Sequence, residues 1–294
     1  MSLTLWATAM TMFCAANEAN GAPSAPGSAK TTPFFVFDNG LGRGEWTPER
    51  QAKTVAELGY DGVGYTGEED LDERLAAFDK YHVKIFNLYV GCNLDNEPAF
   101  GEPLRAAIKR LRGTGVALWL TVQGRAGGDS HAAQTVGEIA DLAAASGLRV
   151  ALYPHTGFYV ATLDDALRIA GLAKRDNLGV TFNLCHELKA GNEKRFDELL
   201  ERAAPRLFFV SINGADHEGD WDKLIQPLGR GEVDVLRVLR KLRAVGYAGP
   251  IGLQCYAVKG DTLENLKHNI AEWRSLRAQL QNEPKEQKPT SRQP

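Results

Sequence analysis

The sequence predicts an α/β fold, a single-domain (β/α)8 barrel. From residue 33 onward, a short apolar run and a segment with helical spacing recur with a period of roughly thirty residues. Glycine stops the predicted helices at corresponding positions, namely Gly59, Gly115, Gly147 and Gly246. Eight such units over about 250 residues match the size of this barrel. A doubly wound sheet is disfavoured, because no G-x-G-x-x-G follows the first strand.

The predicted strands are runs of β-branched, aromatic and other apolar residues, and they cover 33–38, 59–65, 83–89, 116–123, 148–155, 178–186, 206–213 and 249–256. The predicted helices cover 48–58, 71–81, 103–112, 131–146, 162–175, 193–203, 234–245 and 262–280. The amphipathic segment 162–175 separates strands five and six, which both end in polar clusters. Parallel strands place their ligand sites at such carboxyl ends, so a site is expected there.

The two ends of the chain differ in composition from the barrel, which we expect to span residues 31–280. Residues 3–16 are apolar and about as long as a signal-peptide core, and residues 21–30 are rich in Pro, Ser and Gly. We expect a leader at 1–30 and therefore a periplasmic or secreted protein. The alternative is a cytoplasmic protein with a disordered leader or a mis-set start codon. The charged segment 281–294 is predicted to be a disordered tail.

Composition and charge narrow the class of ligand. The chain has 294 residues, a net charge of −3 and a pI of about 6.1, so no basic field is available to hold nucleic acid. No stretch beyond the leader is long enough to span a membrane. The scattered cysteines, Cys14, Cys92, Cys185 and Cys255, indicate neither a zinc ribbon nor a disulfide framework. A small, neutral or weakly charged ligand is expected.

Polar residues at the predicted strand ends form the candidate site. In chain order they are Asp38, Asn39, Tyr65, Asn87, Tyr89, Gln123, Arg125, Tyr153, His155, Asn183, His186, Glu187, Ser211, Asn213, Asp216, His217, Gln254 and Tyr256. This mixture of amides, histidines and aromatics suits a sugar, because amides both donate to and accept from hydroxyls and aromatic rings stack on apolar sugar faces.

Several of these residues also have a purely structural interpretation. His155 follows Pro154 and could cap the strand end. Asn183 and Gln254 are expected to point inward, where an amide either lines the pocket or makes a structural hydrogen bond. His217 lies in a glycine-containing loop and is equally compatible with binding and with simple exposure.

Residues 59–273 resemble the xylose isomerase-like barrel superfamily of sugar isomerases, epimerases and endonuclease IV-type proteins. The resemblance rests on Asn183-Leu-Cys-His186, on Pro227-Leu-Gly-Arg-Gly231 before a helix, and on the run from Gly246 to Gln254. It implies a barrel that acts on sugars. His186 and His155 match histidines that lie beside the substrate in that family.

The resemblance also implies a divalent metal, and here the sequence departs from the family. The four ligand positions correspond to Tyr153, Asn183, Ser211 and Gln254, none of which is a carboxylate or an imidazole. The usual metal is therefore expected to be absent, and no cofactor is assigned. The alternative is a different metal site built from His155, His186 and Glu187.

We expect an enzyme that moves a proton next to a sugar carbonyl, as isomerases and epimerases do. His186 and His155 are the predicted acid/base pair. Asn183, Asn213 and Gln254 are the predicted hydroxyl-binding residues, joined at the site by Tyr153, Gln123, Asp38, Tyr256 and His217. A lyase acting on keto-glycosides is the first alternative, and a non-catalytic sugar-binding barrel is the second. Endonuclease activity is disfavoured, because it needs several metals and phosphate-binding charge.

Overall fold

The computed structural model describes residues 32–283, which form a closed barrel of eight parallel strands in sequence order. The predicted fold class is confirmed. The strands are β1 (Phe34–Phe37), β2 (Gly62–Thr66), β3 (Lys84–Asn93), β4 (Ala117–Gln123), β5 (Val150–Leu152), β6 (Leu178–Asn183), β7 (Leu207–Ile212) and β8 (Ile251–Leu253). The helices are α1 (Pro48–Leu58), α2 (Leu71–Lys80), α3 (Glu102–Arg110), α4 (Gly128–Ala145), α5 (Leu163–Ala173), α6 (Leu184–Lys189), α7 (Phe196–Ala203), α8 (Trp221–Leu224), α9 (Val235–Ala244) and α10 (Thr262–Asn282).

The leader at 1–30 lies outside the described residues. The predicted tail does too, apart from its first residues, which complete α10 and the residue after it. Within residues 32–283, no helix combines the length and the apolar character needed to cross a membrane.

The helix stops follow the sequence pattern. Gly59, Gly115, Gly147 and Gly246 all adopt a positive φ, between 72° and 78°. At Gly59 the backbone N–H donates to the carbonyls of Val55 and Ala56, which closes the last turn of α1. These glycines permit the sharp reversals that return each helix to the barrel.

Three predicted strands end earlier than expected, each for a local reason. β5 stops at Leu152, and Pro154 has no N–H to extend the ladder. β8 stops at Leu253, because the side-chain Oε1 of Gln254 accepts from the N–H of Cys255 and the N–H of Tyr256, both at 2.9 Å, and turns the chain. β6 ends at Asn183, and the residues after it form α6 rather than strand.

Two layers of apolar side chains hold the barrel together. The larger layer packs between the strands and the surrounding helices. The smaller one fills the inside of the barrel and is largely aromatic, with Phe35, Phe37, Trp119, Tyr153 and Phe209 as its largest members. Cys92, Cys185 and Cys255 are free and buried, as expected of small apolar residues. Cys14 lies outside the described part of the chain.

The last helix closes the barrel against the first strand. The ring of Trp273 on α10 stacks on Phe34 of β1 with centroids 4.2 Å apart and planes 12° apart. The Tyr60 hydroxyl donates to the backbone carbonyl of Leu266 on the same helix at 2.8 Å. Strand β1 also pairs with β8, so the two ends of the barrel are joined by backbone and side-chain contacts.

A buried carboxyl group joins α6 to α5. Glu187 is fully buried, and its Oε1 accepts from the N–H of Leu163, the first residue of α5, at 2.6 Å. Its Oε2 accepts from the Asn192 side-chain amide at 2.8 Å. Burial raises the pKa of Glu187 to about 7, although these hydrogen bonds favour the ionised form. Glu187 therefore caps a helix at a cost in stability.

That cost predicts a pH dependence of folding. Because the pKa is higher in the folded chain than in the unfolded one, the folded state binds the extra proton between about pH 4.5 and 7. Stability should fall as the pH rises through this range. Glu187→Gln keeps an acceptor for Leu163 and removes the titration, so it should raise the free energy of unfolding at pH 8 by about 1–3 kcal/mol.

Urea denaturation at pH 5 and pH 8 measures this effect. The exposed Glu57 provides a control, since Glu57→Gln should change stability little at either pH. A Glu187→Gln protein that is less stable than the wild type at pH 8 would contradict the expectation.

Candidate active site

A cavity of about 480 Å³ opens at the carboxyl ends of the strands. Its wall comes from residues of β1 to β4, from the segments after β1, β5 and β8, and from α6 and α8. Its volume falls within the range of small-molecule sites in proteins. The expected position of the site, at the strand tips, agrees with this cavity.

Aromatic rings form much of the cavity wall. Phe37, Tyr89, Trp119 and Tyr153 come from four strands or strand ends and contact one another inside the barrel. The Trp119 and Tyr153 rings lie 4.8 Å apart, and those of Tyr89 and Tyr153 lie 5.1 Å apart, edge to face. Such surfaces match the apolar faces of sugar rings, while their polar edges remain available for hydrogen bonds.

The two predicted acid/base residues lie side by side on the wall. His155 follows β5, and His186 lies in the first turn of α6, directly after β6. Their ring centroids are 4.3 Å apart. His155 stacks on Phe158 at 4.2 Å, and His186 meets the edge of Trp221 at 5.2 Å. The pair is therefore fixed by aromatic contacts on both sides.

A single residue, Thr156, sets the tautomer of both rings. Its backbone N–H donates to Nδ1 of His186 at 3.0 Å, so that Nδ1 carries no proton and Nε2 does. Its carbonyl oxygen lies 3.0 Å from Nδ1 of His155 and can only accept, so this Nδ1 carries the proton. Within residues 32–283, neither Nε2 has a hydrogen-bond partner. One ring thus presents a donor and its neighbour an acceptor.

Both imidazoles are neutral near pH 7. Burial, together with the smaller effect of the neighbouring His155, lowers the pKa of His186 to about 3. Burial also lowers the pKa of His155, although its hydrogen bond to Thr156 opposes this effect. Two neutral rings can lie in contact without the repulsion that two imidazolium ions would suffer.

Gln254 is held in one orientation beside Tyr153. Its Oε1 accepts from the Asn39 side-chain amide at 2.6 Å and from two backbone N–H groups. Its Nε2 therefore faces the Tyr153 hydroxyl, 3.3 Å away, and donates to it. Burial raises the pKa of Tyr153 well above its usual value, so the phenol stays neutral. These three residues line the cavity as uncharged hydrogen-bonding groups.

Cations lie at the mouth of the cavity. Arg43 bonds the buried carboxylate of Asp38 and the hydroxyl of Thr66. Asp38 also accepts from the backbone N–H and the hydroxyl of Thr66, both at 3.0 Å, so it positions Arg43 and Thr66 from behind. Lys189 on α6 donates to the carbonyl of Gly219 at 3.0 Å. In the described part of the chain, no carboxylate lines the cavity.

The residues at the family's metal positions do not form a metal site. No group of three His, Cys, Asp or Glu side chains within residues 32–283 could hold a metal ion. Tyr153 and Gln254 bond one another, and the Asn183 amide donates to the carbonyl of Pro154 at 3.4 Å. The alternative set of His155, His186 and Glu187 is not assembled, because both oxygens of Glu187 bond the α5 end and Asn192 instead. The residues at the four family positions include none of the carboxylates that supply negative charge in most sites for hard cations.

The structure brings together only some of the predicted site residues. Eight of the candidates line the cavity: Asn39, Asn87, Tyr89, Tyr153, His155, His186, Gln254 and Tyr256. The other ten lie outside its lining: Asp38, which supports Arg43; Tyr65; Gln123, at the end of β4; Arg125; Asn183; Glu187; Ser211; Asn213; Asp216; and His217.

Asn213 and His217 make hydrogen bonds to residues that do not line the cavity. The Asn213 amide is fully buried and donates to the carbonyls of Gly214 and Leu224, both at 2.7 Å, which ties the loop after β7 to α8. The half-exposed His217 bonds the Glu193 carboxylate at 2.8 Å. The sequence identifies Asn213 as a polar residue at a strand end, but it cannot show that the Asn213 amide donates to backbone carbonyls.

Several cavity residues carry no signal in the sequence, among them Arg43, Thr66, Trp119, Thr156, Lys189 and Trp221. Arg43, Lys189 and Trp221 come from a loop and two short helices whose paths no periodicity reveals. Thr156 bonds both rings through its backbone, and its hydroxyl also lies 2.9 Å from Nδ1 of His186, but no local sequence pattern marks these contacts. Trp119 lies inside an apolar strand and is indistinguishable there from a core residue.

Comparison with known proteins gives the family. The model of the xylose isomerase-like TIM barrel family matches residues 52–276. A curated relative, the uncharacterized protein MJ1311 of Methanocaldococcus jannaschii, is 29% identical over 123 residues, which are 41% of this chain and 41% of that protein. The chain thus aligns with less than half of that relative's length.

Several solved structures share the fold. A xylose isomerase domain protein from Alicyclobacillus acidocaldarius has a TM-score of 0.68 at 20% identity and covers 86% of this chain and 100% of its own. The 3-keto-D-glucoside 4-epimerase YcjR from E. coli has a TM-score of 0.66 at 15% identity, and the match covers 84% of this chain and 100% of that one. A D-allulose 3-epimerase from Methylomonas sp. has a TM-score of 0.67 at 16% identity, and the match covers 84% of this chain and 99% of that one. With its barrel also matched by the family model, this chain belongs to the xylose isomerase-like TIM barrel family.

Proposed function

We propose that this protein is a sugar isomerase or epimerase-like enzyme that moves a proton next to a carbonyl group, using a pair of neutral histidines. The observation that carries the proposal is the contact between His155 and His186 with opposite tautomers. Proton transfer next to a carbonyl needs a base at the carbon and a donor at the oxygen. The two Nε2 atoms supply one of each.

The proposed step begins with the substrate lying against the aromatic wall. His155 Nε2 takes the proton from the carbon next to the carbonyl, and the electron pair of that C–H bond forms the C=C bond of an enediolate. His186 Nε2–H donates a hydrogen bond to the oxygen that gains the charge. Return of the proton from His155 to the former carbonyl carbon completes an isomerisation, provided that the hydroxyl proton of the neighbouring carbon passes to the former carbonyl oxygen. An epimerisation instead needs a proton that reaches the opposite face of the same carbon, which solvent and not His155 would deliver.

The low pKa of His186 suits this division of roles. When His155 becomes cationic, His186 remains neutral and keeps its Nε2 proton as a donor. A neutral imidazole that polarises a carbonyl is an established catalytic device. The names of the similar structures, which describe a 3-keto-D-glucoside 4-epimerase and a D-allulose 3-epimerase, are consistent with chemistry at a sugar carbon.

Two other functions fit the same cavity. A lyase acting on keto-glycosides would begin with the same proton abstraction and then expel the group on the next carbon. A non-catalytic sugar-binding barrel would use the aromatic wall and amides alone. The leader remains the basis for proposing an exported protein, a location that suits glycan breakdown.

Exchange of substrate protons with solvent tests the proposed step. Ketoses and keto-glycosides incubated with the protein in D2O should gain deuterium next to the carbonyl, as followed by NMR. His155→Ala should slow the exchange by about 100-fold or more, because it removes the base. His217→Ala, a half-exposed histidine outside the cavity lining, is the control and should leave the rate within about two-fold.

The products separate the alternatives. A rearranged sugar supports the isomerase or epimerase, and an eliminated product supports the lyase. Sugar binding with no exchange would contradict the proposal and favour the binding barrel.

The pH dependence of exchange follows from the direction of both pKa shifts. Burial lowers the pKa of His155 below its ordinary value of 6.5, so the base form should persist at and above that pH. The rate should stay level from pH 8 to about 6.5 and fall only at lower pH, as His155 becomes protonated. His186, with a pKa of about 3, should not contribute to this fall.

Circular dichroism at each pH verifies that the protein stays folded. A midpoint clearly above pH 6.5 would show a base with a raised pKa and would contradict the assignment to His155.

A further inference from the structure

Two buried polar side chains lining the cavity have no protein partner. Asn87 on β3 is fully buried, and within the described part of the chain neither its Oδ1 nor its Nδ2 has a hydrogen-bond partner. Trp119 on β4 is 1% exposed, and its Nε1–H is likewise unpaired. Buried polar groups are paired in the great majority of cases, with protein, ordered water or a ligand. Because Asn87 and Trp119 line the cavity, a molecule inside it is the available partner.

The neighbouring strand leaves room for the Asn87 amide. Gly64 of β2 pairs with Asn87 in register and also lines the cavity. A Cβ at position 64 would lie 2.7 Å from Oδ1 of Asn87 and 3.0 Å from the ring of Phe35. On the far side, Asn87 pairs with the small residue Ala117. The amide thus lies between two small residues.

The charges of the cavity indicate what this ligand group is. Both cations of the lining, Arg43 and Lys189, are partly exposed at the mouth, with 44% and 31% of their side chains accessible. The lining residues beside Trp119 carry phenols: Tyr89 pairs with Trp119 across β3 and β4, and the Tyr153 ring lies 4.8 Å from the Trp119 ring. An anion would find no positive charge at this depth, whereas a hydroxyl or carbonyl oxygen would find donors and an acceptor.

We propose that Asn87 and Trp119 form a subsite for an uncharged oxygen of the ligand, a hydroxyl or carbonyl group of a sugar. The ligand therefore enters with its uncharged end first, and any acidic group stays at the mouth with Arg43 and Lys189. The inference concerns the same cavity as the proposed function and rests on it for the class of ligand, but it requires no turnover.

Paired substitutions of buried asparagines test the subsite without a ligand. Asn87→Leu replaces an unpaired amide by an apolar group of similar size, so the Tm should stay the same or rise. The control is Asn269→Leu on α10. Asn269 is equally buried, but it accepts from the N–H of Leu228 at 2.6 Å and donates to the carbonyl of Asn265 at 2.8 Å. Asn269→Leu removes both hydrogen bonds and should lower the Tm by about 5 °C.

Titration calorimetry with two uncharged probes, methyl 3-keto-α-D-glucopyranoside and D-allulose, provides the second measurement. Asn87→Leu should weaken binding of the probe that the wild type holds by about ten-fold or more, and Trp119→Phe should weaken it less, because only one donor is lost.

Three results would overturn the inference: an Asn87→Leu protein destabilised as much as Asn269→Leu, probe binding unchanged by Asn87→Leu, or a wild type that binds neither probe. The proposed function fails separately. Suppose that Asn87→Leu keeps or raises the Tm and weakens probe binding, but that no solvent exchange occurs. That result supports the subsite and contradicts the proposed proton transfer by the histidines.

Discussion

The geometry of the site depends on the peptide groups of one residue. Thr156 donates through its N–H to one imidazole and accepts through its carbonyl from the other. Both hydrogen bonds require that His155 and His186 lie beside Thr156. They do so because β5 stops before Pro154 and α6 begins directly after Asn183. A second bond, from the N–H of His155 to the carbonyl of Val160, closes the loop that carries Thr156.

Around the two histidines, the charged and uncharged groups of the cavity lie in different places. Cations lie at the mouth, neutral imidazoles on the wall, and phenols and unpaired amide and indole groups deeper inside. Gln254 can donate a hydrogen bond to Tyr153 because its side chain is an amide and not an acid. Its Oε1 is saturated by three donors, so its N–H groups remain for Tyr153, whose own O–H is left free to donate to a ligand. A carboxylate at this position would accept from the phenol.

Much of the fold could be predicted from sequence because it repeats. An apolar run and a helical segment occur in every unit, and a glycine stops the helix in four of them. The errors lay at strand ends such as Leu152 and Leu253 and in the short helices α6 and α8, which were not predicted. The site was predicted in part, since strand alternation gives the face of a residue and not its depth. Asn183 and Asn213 face inward, yet both donate to backbone carbonyls outside the cavity lining. Arg43 reaches the cavity from a loop, and no local pattern predicts such a path.

The central claim, opposite tautomers in two neutral histidines, can be observed directly. A long-range ¹H–¹⁵N correlation spectrum of histidine-labelled protein at pH 7, assigned with single-histidine variants, reports which ring nitrogen carries the proton. We expect His186 to be protonated at Nε2 alone and His155 at Nδ1 alone. Two rings with the same tautomer, or either ring in the imidazolium form at this pH, would contradict the account.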